Sequence, residues 1–318
     1  MSFAGEVRQE LSRQNARTRH CRLAELTALL FFCGTLQIDA DERMQLCFRT
    51  EQETAQERFA GLVKKLFGIQ PEQIRQEDGT RRSGVAGLRI EEQDLVKKIL
   101  QATGVLDGRG RLAEERPQAE QKNVQRECCR RAFLRGAFLA AGTVSDPNRS
   151  YHAEFLCDTE EQSETVCRIL LTFGIRAGTA KRGKHQQVYL KDGSRIADLL
   201  GIMEAPVSLM AFENARIMRE VRGNINRKVN CETSNIRKTA DAAASQIEDV
   251  RLIEKTIGLA SLPKALDETA RVRLQYPTAT LQELGELLEV PVGKSGINHR
   301  MRRLHNMAEQ IRKENTEV

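Results

Sequence analysis

Apolar residues recur at helical spacing in four segments of the first third of the chain, with shorter apolar runs between them. The spacing of three and four residues predicts helices over 2–14, 22–36, 52–67 and 92–103. The short runs predict strands over 44–49 and 84–90. The next stretch, 107–123, is rich in Gly, Arg, Glu and Gln and contains Pro117, which predicts a loop or linker.

The same order of elements returns after this linker. The pattern predicts helices over 124–141, 160–173 and 194–200, and strands over 151–157 and 186–191. The letters also repeat, because ELTALLFFCGTL at 25–36 aligns with FLRGAFLAAGTV at 133–144, and Phe-Gly-Ile at 67–69 aligns with Phe-Gly-Ile at 173–175. Two matches in the same order favour an internal duplication with two similar α/β halves over a chance likeness of two apolar helices.

The pattern from residue 263 onward predicts a helix-turn-helix. Pro263 suits the first turn of a helix that Pro277 ends. Thr280 suits the N-cap of the next helix, because Glu283 follows at the spacing of a capping box. A tight turn at 290–293 then leads into a last helix that begins near residue 295, which is the outline of the DNA-binding motif.

The last helix has two unlike sides. At about 100° per residue, its apolar positions fall within about 80° of one another, and they are Ile297, Met301, Leu304, Ala308 and Ile311. Arg and Asn on the opposite side can read guanine and adenine edges, and phosphates favour the helix N-terminus. The predicted DNA contacts are Thr280, Lys294, Ser295, Asn298, His299, Arg300, Arg302, Arg303 and Asn306. An ordinary amphipathic surface helix is the alternative.

The positive charge is concentrated in the last third of the chain. Six basic residues face one acidic residue in 291–313, and seven face two in 216–240, so each stretch carries +5 while the whole chain carries +6. Two long helices, over 206–226 and 231–257, are predicted here. Such a distribution suits a polyanionic partner. The predicted additional phosphate contacts are Arg227, Lys228, Arg237 and Lys238; a solvated connector is the alternative.

Composition narrows the function classes. No apolar run reaches the roughly 18–20 residues of a membrane span, and the first residues lack the pattern of a signal peptide. We therefore expect a cytoplasmic, nucleoid-associated protein with no membrane partner. Aromatic residues make up only 4%, which argues against a stacking platform for single strands. The eight cysteines form no C-x-x-C and do not cluster with the five histidines, so we expect buried reduced thiols, no metal and no cofactor.

FLRGAFLAAG at 133–142 resembles the LAGLIDADG motif of homing endonucleases, and 26–34 is the first, weaker copy. In that family two such helices pack along a pseudo-twofold axis, and an acidic residue before the final Gly of each holds the catalytic metals. Cys33 and Ala141 stand at those positions, and neither suits Mg²⁺. Asp39, Asp41 and Asp146 lie just beyond the motifs and would need a different geometry. The resemblance therefore predicts a lost nuclease and no enzyme.

Further stretches resemble the WhiA family of bacterial regulators, including NRKVNCETSNIRKTADAAASQIEDV at 226–250, LQYPTATLQELGELL at 274–288 and GKSGINHRMRRL at 293–304. The resemblance covers essentially the whole chain. It implies an α+β fold, with a duplicated LAGLIDADG-like pseudo-twofold αββαββα unit followed by an all-α helix-turn-helix domain. It also implies a DNA-binding transcriptional regulator of Gram-positive bacteria, tied to sporulation, cell division and chromosome segregation.

We expect four segments. They are an N-terminal arm at 1–20, a degenerate LAGLIDADG-like domain at 21–215 with halves at about 21–106 and 124–204, a basic helical linker at 216–262, and the DNA-binding domain at 263–318. The expected partner is double-stranded DNA. Another transcription regulator or RNA polymerase is a further candidate, and no small-molecule substrate is expected. The alternatives are an endonuclease, a protein-interaction scaffold, and a nucleoid-associated scaffold without sequence preference.

Overall fold

The computed structural model describes residues 2–14, 16, 18–69, 73–77, 86–107 and 123–314. The chain divides into two compact units, Met1–Glu220 and Val221–Val318, which we call unit 1 and unit 2. The predicted linker at 107–123 lies almost wholly outside the described residues, and so do residues 84 and 85 of one predicted strand.

Unit 1 contains two series of elements in the same order. The first series is α1 (Phe3–Arg13), α2 (Arg19–Cys33), β1 (Gly34–Ile38), β2 (Met44–Thr50), α3 (Glu53–Phe67), β3 (Arg75–Glu77), β4 (Ala86–Ile90) and α4 (Gln93–Thr103). The second is α5 (Glu127–Ala141), β5 (Gly142–Val144), β6 (Ala153–Cys157), α6 (Glu160–Leu171), β7 (Gly178–Arg182), β8 (His185–Leu190) and α7 (Gly193–Ile202). After α1, each series reads αββαββα, and the predicted duplication and fold class are confirmed.

Each series builds its own antiparallel sheet of four strands. The strand orders are β1-β2-β4-β3 and β5-β6-β8-β7, so the two sheets share one topology. Equivalent strands also pair at equivalent places, because Gly34 lies opposite Phe48 in one sheet and Gly142 lies opposite Phe155 in the other. Apolar side chains of the sheets and of α2 and α5 form one continuous core.

Helices α2 and α5 pack against each other at very short range. A Cβ atom added to Gly136 of α5 would lie 2.5 Å from the carbonyl oxygen of Glu25 and 3.0 Å from the Cβ of Ala28. Only glycine leaves room for such an approach of two helix backbones. The segment predicted as one apolar helix in each half is therefore the central contact of unit 1.

Four strands were not predicted, and all four lie at sheet edges. They are β1, β3, β5 and β7. Three residues of β1 are exposed, so the strand lacks the strict alternation of a half-buried strand. The predicted helix over 22–36 is accordingly wrong in its last turn, because α2 ends at Cys33 and residues 34–36 belong to β1.

The two helices predicted at 206–226 and 231–257 are one helix, α8 (Pro206–Thr256). The intervening residues, Arg227 to Asn230, contain neither Pro nor Gly, so nothing in them ends a helix. Within unit 1, Glu10 of α1 accepts hydrogen bonds at the start of α8 from the backbone N–H groups of Val207 and Ser208, both at 2.8 Å. A carboxylate at this place satisfies orphan donors of a helix N-terminus.

Unit 2 is all helical. After α8 come a short 3₁₀ turn (Leu259–Ser261), α9 (Lys264–Gln275), α10 (Leu281–Glu286) and α11 (Lys294–Glu314). Its core combines apolar residues of all four helices, among them Val250, Leu266, Leu284 and Ile297. The elements predicted for the helix-turn-helix are therefore present in the predicted order.

Candidate nucleic-acid interface

The helix pair α10 and α11 is fixed by capping and by a tight turn. The Oγ1 atom of Thr280 accepts a hydrogen bond from the backbone N–H of Glu283 at 3.3 Å, and a carboxylate oxygen of Glu283 accepts one from the backbone N–H of Thr280 at 2.7 Å. These bonds lower the pKa of Glu283. The predicted capping box is confirmed.

The turn itself passes very close to α10. The backbone N–H of Val292 donates to the carbonyl oxygen of Gly285 at 3.0 Å. A Cβ atom added to Gly285 would lie 1.9 Å from the carbonyl oxygen of Val292, so a larger residue does not fit there. This contact sets the position at which α11 begins.

The back of α11 is buried, as its angular pattern predicts. Its buried residues are Ile297, Met301, Leu304, Ala308 and Ile311. A polar network also holds the helix, because Asp249 of α8 accepts from His305 Nδ1 and from a guanidinium nitrogen of Arg312, each at 2.7 Å. With its apolar stripe and its C-terminal half anchored, α11 is a rigid support for the side chains on its other face.

We call the exposed side chains on this other face the reading face. It consists of Lys294, Ser295, Asn298, His299, Arg302, Arg303 and Asn306. Among the described residues, Arg302 and Arg303 have no hydrogen bond and no ion pair. Both guanidinium groups are therefore available to an external ligand, and they lie beside two Asn side chains.

Arg300, which the sequence grouped with the reading face, is engaged elsewhere. It is half-buried, and its Nη1 donates to the Oγ1 of Thr269 at 3.1 Å and to the carbonyl oxygen of Ala265 at 3.3 Å. Its guanidinium thus joins α11 to α9. No local pattern in the sequence indicates this contact, because its partners lie more than thirty residues earlier in the chain.

The four residues of α8 that were predicted as additional phosphate contacts are all exposed, and one of them lies beside the helix-turn-helix. Lys238 lines a cavity of about 410 Å³ together with Thr280 and Lys294. Arg237 forms an ion pair with Asp241 at 3.9 Å, and Arg227 donates to the side chain of Asn224. The structure thus brings together Lys238 and two of the predicted contacts.

Arg273 is a residue of this cavity that sequence reasoning missed. It is only 2% exposed, and its Nη1 donates to the carbonyl oxygen of Ala279 at 2.6 Å. Its Nε and the Oε1 of Gln246, which lines the same cavity, have no partner among the described atoms. Burial lowers the pKa of Arg273. A signal was present, since Arg273 falls on the stripe of Leu266 and Ala270 that faces the core.

The positions of the endonuclease acids lie in a pocket at the ends of α2 and α5. Cys33 and Ala141 line this pocket of about 500 Å³ together with Arg8, whose guanidinium donates to the carbonyl oxygen of Gly142 at 3.1 Å. Burial raises the pKa of the Cys33 thiol to about 12, so the group stays neutral. A neutral thiol and a methyl group hold no Mg²⁺.

Other acids lie near the motifs, but in different roles. Asp39 and Asp146 each accept backbone N–H bonds within tight turns, from Arg43 at 2.9 Å and from Asn148 at 2.9 Å. Neither is among the lining residues of the pocket. Sequence reasoning missed Glu51, Glu154 and Asp158, which do line it. Two of these three are paired, with His152 at 2.9 Å and with His185 at 2.8 Å.

Two of the three arginines of α5 pair with carboxylates. Arg135 is 2% exposed and donates to Glu25 at 3.4 Å and to Glu204 at 2.7 Å. Glu25 is fully buried and also binds Arg58 through two bonds of 2.6 and 2.8 Å. Arg131 pairs with Glu127 on its own helix. Arg135 therefore neutralises carboxylates inside unit 1, and Arg131 forms an ion pair along the surface of its own helix.

The expectation that the cysteines do not cluster with the histidines is wrong. His20, Cys21, Cys128 and Cys129 come together, and one ligand atom from each lies within 4.8 Å of the others. The two pairs stand more than a hundred residues apart, so sequence spacing hides the cluster.

Among the described helices, none is long and apolar enough to cross a membrane.

Two αββαββα series followed by a helix-turn-helix unit define a class of protein. Its members combine a duplicated LAGLIDADG-like domain with a helix-turn-helix domain. Three family models match in that order. They are the WhiA N-terminal LAGLIDADG-like domain at 19–106, the WhiA LAGLIDADG-like domain at 130–222 and the WhiA C-terminal HTH domain at 225–308. The chain belongs to the WhiA family.

Full-length relatives agree with this assignment. The chain is 41% identical over 310 residues to the probable cell division protein WhiA of Heliobacterium modesticaldum, which covers 97% of this chain and 96% of that protein. It is 42% identical over 313 residues to the protein of the same name from Lachnoclostridium phytofermentans, covering 98% and 100%. The crystal structure of full-length DUF199/WhiA from Thermatoga maritima matches with a TM-score of 0.59 at 25% identity, over 98% of this chain and 99% of that chain.

Proposed function

We propose that this protein is a transcriptional regulator that binds double-stranded DNA at specific sequences, in the cytoplasm and on the nucleoid. The observation that carries the proposal is the reading face of α11, where Arg302 and Arg303 are exposed and without partners while the opposite face is wholly buried. The names of the curated relatives support a role in cell division. We extend that role to chromosome segregation and sporulation on the family resemblance.

The recognition mechanism follows from the side chains on α11. A helix of this kind lies in the major groove, where Arg binds the O6 and N7 of guanine through two bonds and Asn binds adenine likewise. We assign Arg302, Arg303, Asn298 and Asn306 to the base edges. Ser295 and His299 complete that set at the front of the same helix.

A second group of side chains is assigned to the DNA backbone. Lys294, Thr280 and Lys238 surround one cavity, and a phosphate placed beside it meets two ammonium groups. Contacts of this kind fix orientation and register and carry no sequence information. We place Arg227, Lys228 and Arg237 on flanking phosphates, and we assign the residues from 263 to 318 as the main DNA-reading domain.

We further propose that the protein is not a nuclease. Hydrolysis of a phosphodiester by the two-metal mechanism needs oxygen ligands from the protein that hold the metal ions beside the DNA bond that is cut. Cys33 and Ala141 stand where the endonuclease pattern has acids, and Arg8 adds a positive charge to the same pocket. Two of the three acids that do line the pocket are already paired with histidines. Supercoiled plasmid incubated with Mg²⁺ and an amount of protein equal to that of the DNA should stay intact. Nicking that EDTA stops would contradict this part of the proposal.

The decisive experiment measures specificity. Genome-wide binding in the native cell identifies the best site, and the purified protein is then titrated against that duplex and a scrambled duplex at several salt concentrations. We expect the best site to bind at least about 10³-fold more tightly than the scrambled duplex. Equal affinity for both duplexes, falling steeply with salt, would contradict the proposal.

That contrary outcome would favour a second candidate function, a nucleoid-associated scaffold without sequence preference. Arg227 and Lys228 favour it, because these exposed basic residues lie on α8 rather than on the reading face. A protein that only neutralises phosphates shows a strong salt dependence for every duplex. Another transcription regulator or RNA polymerase is the further partner that we propose for the regulatory role.

A further inference from the structure

Four side chains that bind metals well meet at the N-terminal ends of α2 and α5. His20 and Cys21 are the second and third residues of α2, and Cys128 and Cys129 are the second and third residues of α5. The Nδ1 atom of His20 lies 3.2 Å from the Sγ of Cys129 and 3.4 Å from the Sγ of Cys21. One ligand atom from each of the four lies within 4.8 Å of all the others.

These distances fit the outline of a tetrahedral zinc site. Zinc binds sulfur at about 2.3 Å and nitrogen at about 2.0–2.1 Å, so the ligand atoms of such a site are about 3.5–3.8 Å from one another. Both measured nitrogen–sulfur distances are within a few tenths of an ångström of this range. The remaining distances between ligand atoms are at most 4.8 Å, about one ångström longer than in such a site.

The surroundings favour bound thiolates. Cys21 and Cys129 are buried against Ala24 and Ala132, while Cys128 is exposed and gives an ion access to the cluster. Both helices present their N-terminal ends here, and the partial positive charge of a helix N-terminus stabilises thiolates. The two helix N-termini therefore stabilise thiolates at a place where the four ligand atoms already lie close together.

The charges of a thiolate cluster favour a bound cation. The sulfur atoms of Cys21, Cys128 and Cys129 lie within 4.8 Å of one another in this cluster. Several thiolates so close together are stable only on a positive ion. Zinc bound by three thiolates and a neutral imidazole carries a single negative charge, and Arg126, with a guanidinium nitrogen 3.3 Å from the Nε2 of His20, lies at the edge of the cluster.

We propose that His20, Cys21, Cys128 and Cys129 form a structural zinc site that joins α2 to α5. Each thiol gives its proton to solvent, and the Nδ1 of His20 supplies a lone pair. The proton of the imidazole then sits on Nε2, so the exposed Arg126 turns away from that atom when the metal binds. Three sulfur ligands and one nitrogen in tetrahedral order are typical of structural zinc. This proposal is independent of DNA binding.

The site would act as a clamp within unit 1. The two ligand pairs come from helices whose close contact forms the centre of the duplicated domain. A metal that binds the folded chain and not the unfolded chain adds its binding free energy to stability. We therefore expect zinc to raise the thermal stability of unit 1.

The test uses the full-length chain, purified without chelator and without a polyhistidine tag. We expect mass spectrometry of the native protein and elemental analysis to show about one zinc per chain. After removal of the zinc under reducing conditions, Co²⁺ should give the intense visible absorption of tetrahedral thiolate coordination. This measurement needs no substitution, so it is free of folding defects in a variant. A wild-type chain that takes up neither Zn²⁺ nor Co²⁺ in a tetrahedral site would overturn the proposal.

Variants then identify the ligands. Loss of an outer partner of a metal ligand already costs 10–100-fold in affinity, so we expect Cys21→Ser, Cys129→Ser and His20→Gln each to lower zinc affinity by more than about 100-fold. Cys231→Ser is the matched control, because Cys231 is exposed on α8 of unit 2. The zinc affinity of this variant should equal that of the wild type. Circular dichroism checks that each variant is folded. Equal zinc affinity in folded Cys129→Ser and wild type would also overturn the site.

A disulfide between two of these cysteines is the rival arrangement. It would show as a loss of about two mass units that dithiothreitol reverses, together with no metal in the reduced protein. That pair of results would overturn the proposal. Thiols that react with a labelling reagent at the same rate with and without zinc would do the same, since bound thiolates are protected.

Discussion

Helices α5 and α11 both carry several arginines beside an apolar stripe, yet they use them in opposite ways. In α5, Arg135 is 2% exposed and its charge is matched by the carboxylates of Glu25 and Glu204. In α11, Arg302 and Arg303 are exposed, and no described residue matches their charge. An arginine with internal counter-charges, such as Arg135, is structural, whereas we propose that Arg302 and Arg303, which have none among the described residues, face a polyanion. Arginine content alone therefore does not identify a nucleic-acid interface; the location of the acids does.

The largest expected effect comes from removing the counter-charge of α5. Glu25→Ala leaves Arg58 and Arg135 buried without their shared carboxylate, and we expect a loss of about 3–5 kcal/mol in the free energy of unfolding of unit 1. Hydrogen–deuterium exchange of peptides from α2 and α5 measures this locally. The matched comparison is Arg303→Ala, which removes a free charge and should change stability by less than about 0.5 kcal/mol. Similar losses in the two variants would break the comparison between the helices.

A smaller effect is expected at the turn that positions the reading face. Gly285→Ala places a methyl group against the carbonyl oxygen of Val292, and such overpacking costs about 1–3 kcal/mol. The loss should be confined to unit 2, as measured by exchange of peptides from α10 and α11. Gly293→Ala, in the turn itself, meets open space and should stay within about 0.5 kcal/mol of the wild type. Equal behaviour of the two glycines would show that the turn is not tightly constrained.

The cap of α10 gives the smallest expected effect on stability. Thr280→Ala removes the hydroxyl that accepts from the N–H of Glu283, which should cost about 1 kcal/mol in unit 2. Thr278→Ala is the control, because Thr278 is exposed two residues earlier and caps no helix. Urea unfolding followed by circular dichroism, which is sensitive to the helical unit, compares the two. A cost for Thr278→Ala as large as that for Thr280→Ala would remove the cap from the account.

The same cap predicts a pH dependence of known sign. Hydrogen bonds from the backbone N–H and the hydroxyl of Thr280 hold the pKa of Glu283 below its usual value. A carboxylate with a lowered pKa in the folded state stabilises that state above its ordinary pKa, and the contribution is lost as the pH falls through the folded value. The stability gap between wild type and Thr280→Ala should therefore narrow in acid. A gap that widens below pH 4 would contradict this assignment.

Local patterns in the sequence were enough to predict the features that depend on residues close together in the chain. The buried back of α11, the capping box of Thr280 and the duplication of two α/β halves all follow from spacings within one element or from a repeated order. What the sequence could not show depends on partners far along the chain. Arg135 meets Glu25 across 110 residues, and Arg300 meets Thr269 across 31. The cysteine and histidine cluster escaped for the same reason, since its halves become neighbours only when α2 and α5 pack.

The edge strands were missed for a different physical reason. Strands such as β1 and β7 carry polar and small residues because they pair on one side and are largely exposed. Their backbone is ordered by hydrogen bonds to β2 and β8, which the sequence pattern of a single strand does not reveal. The central strands, whose side chains are buried, were predicted with bounds within two residues of the observed ones.

The most direct test of the central claim is the affinity of the Arg302→Ala, Arg303→Ala double variant for the best genomic site and for a scrambled duplex. Base contacts are worth about 1–3 kcal/mol each, so the account predicts a fall of at least about 30-fold in affinity for the specific site and a much smaller fall for the scrambled duplex. The control Arg271→Ala removes one exposed charge of α9 that is already paired with Asp267, and it should keep its specificity. A double variant that binds and discriminates like the wild type would contradict the claim that this face of α11 reads DNA.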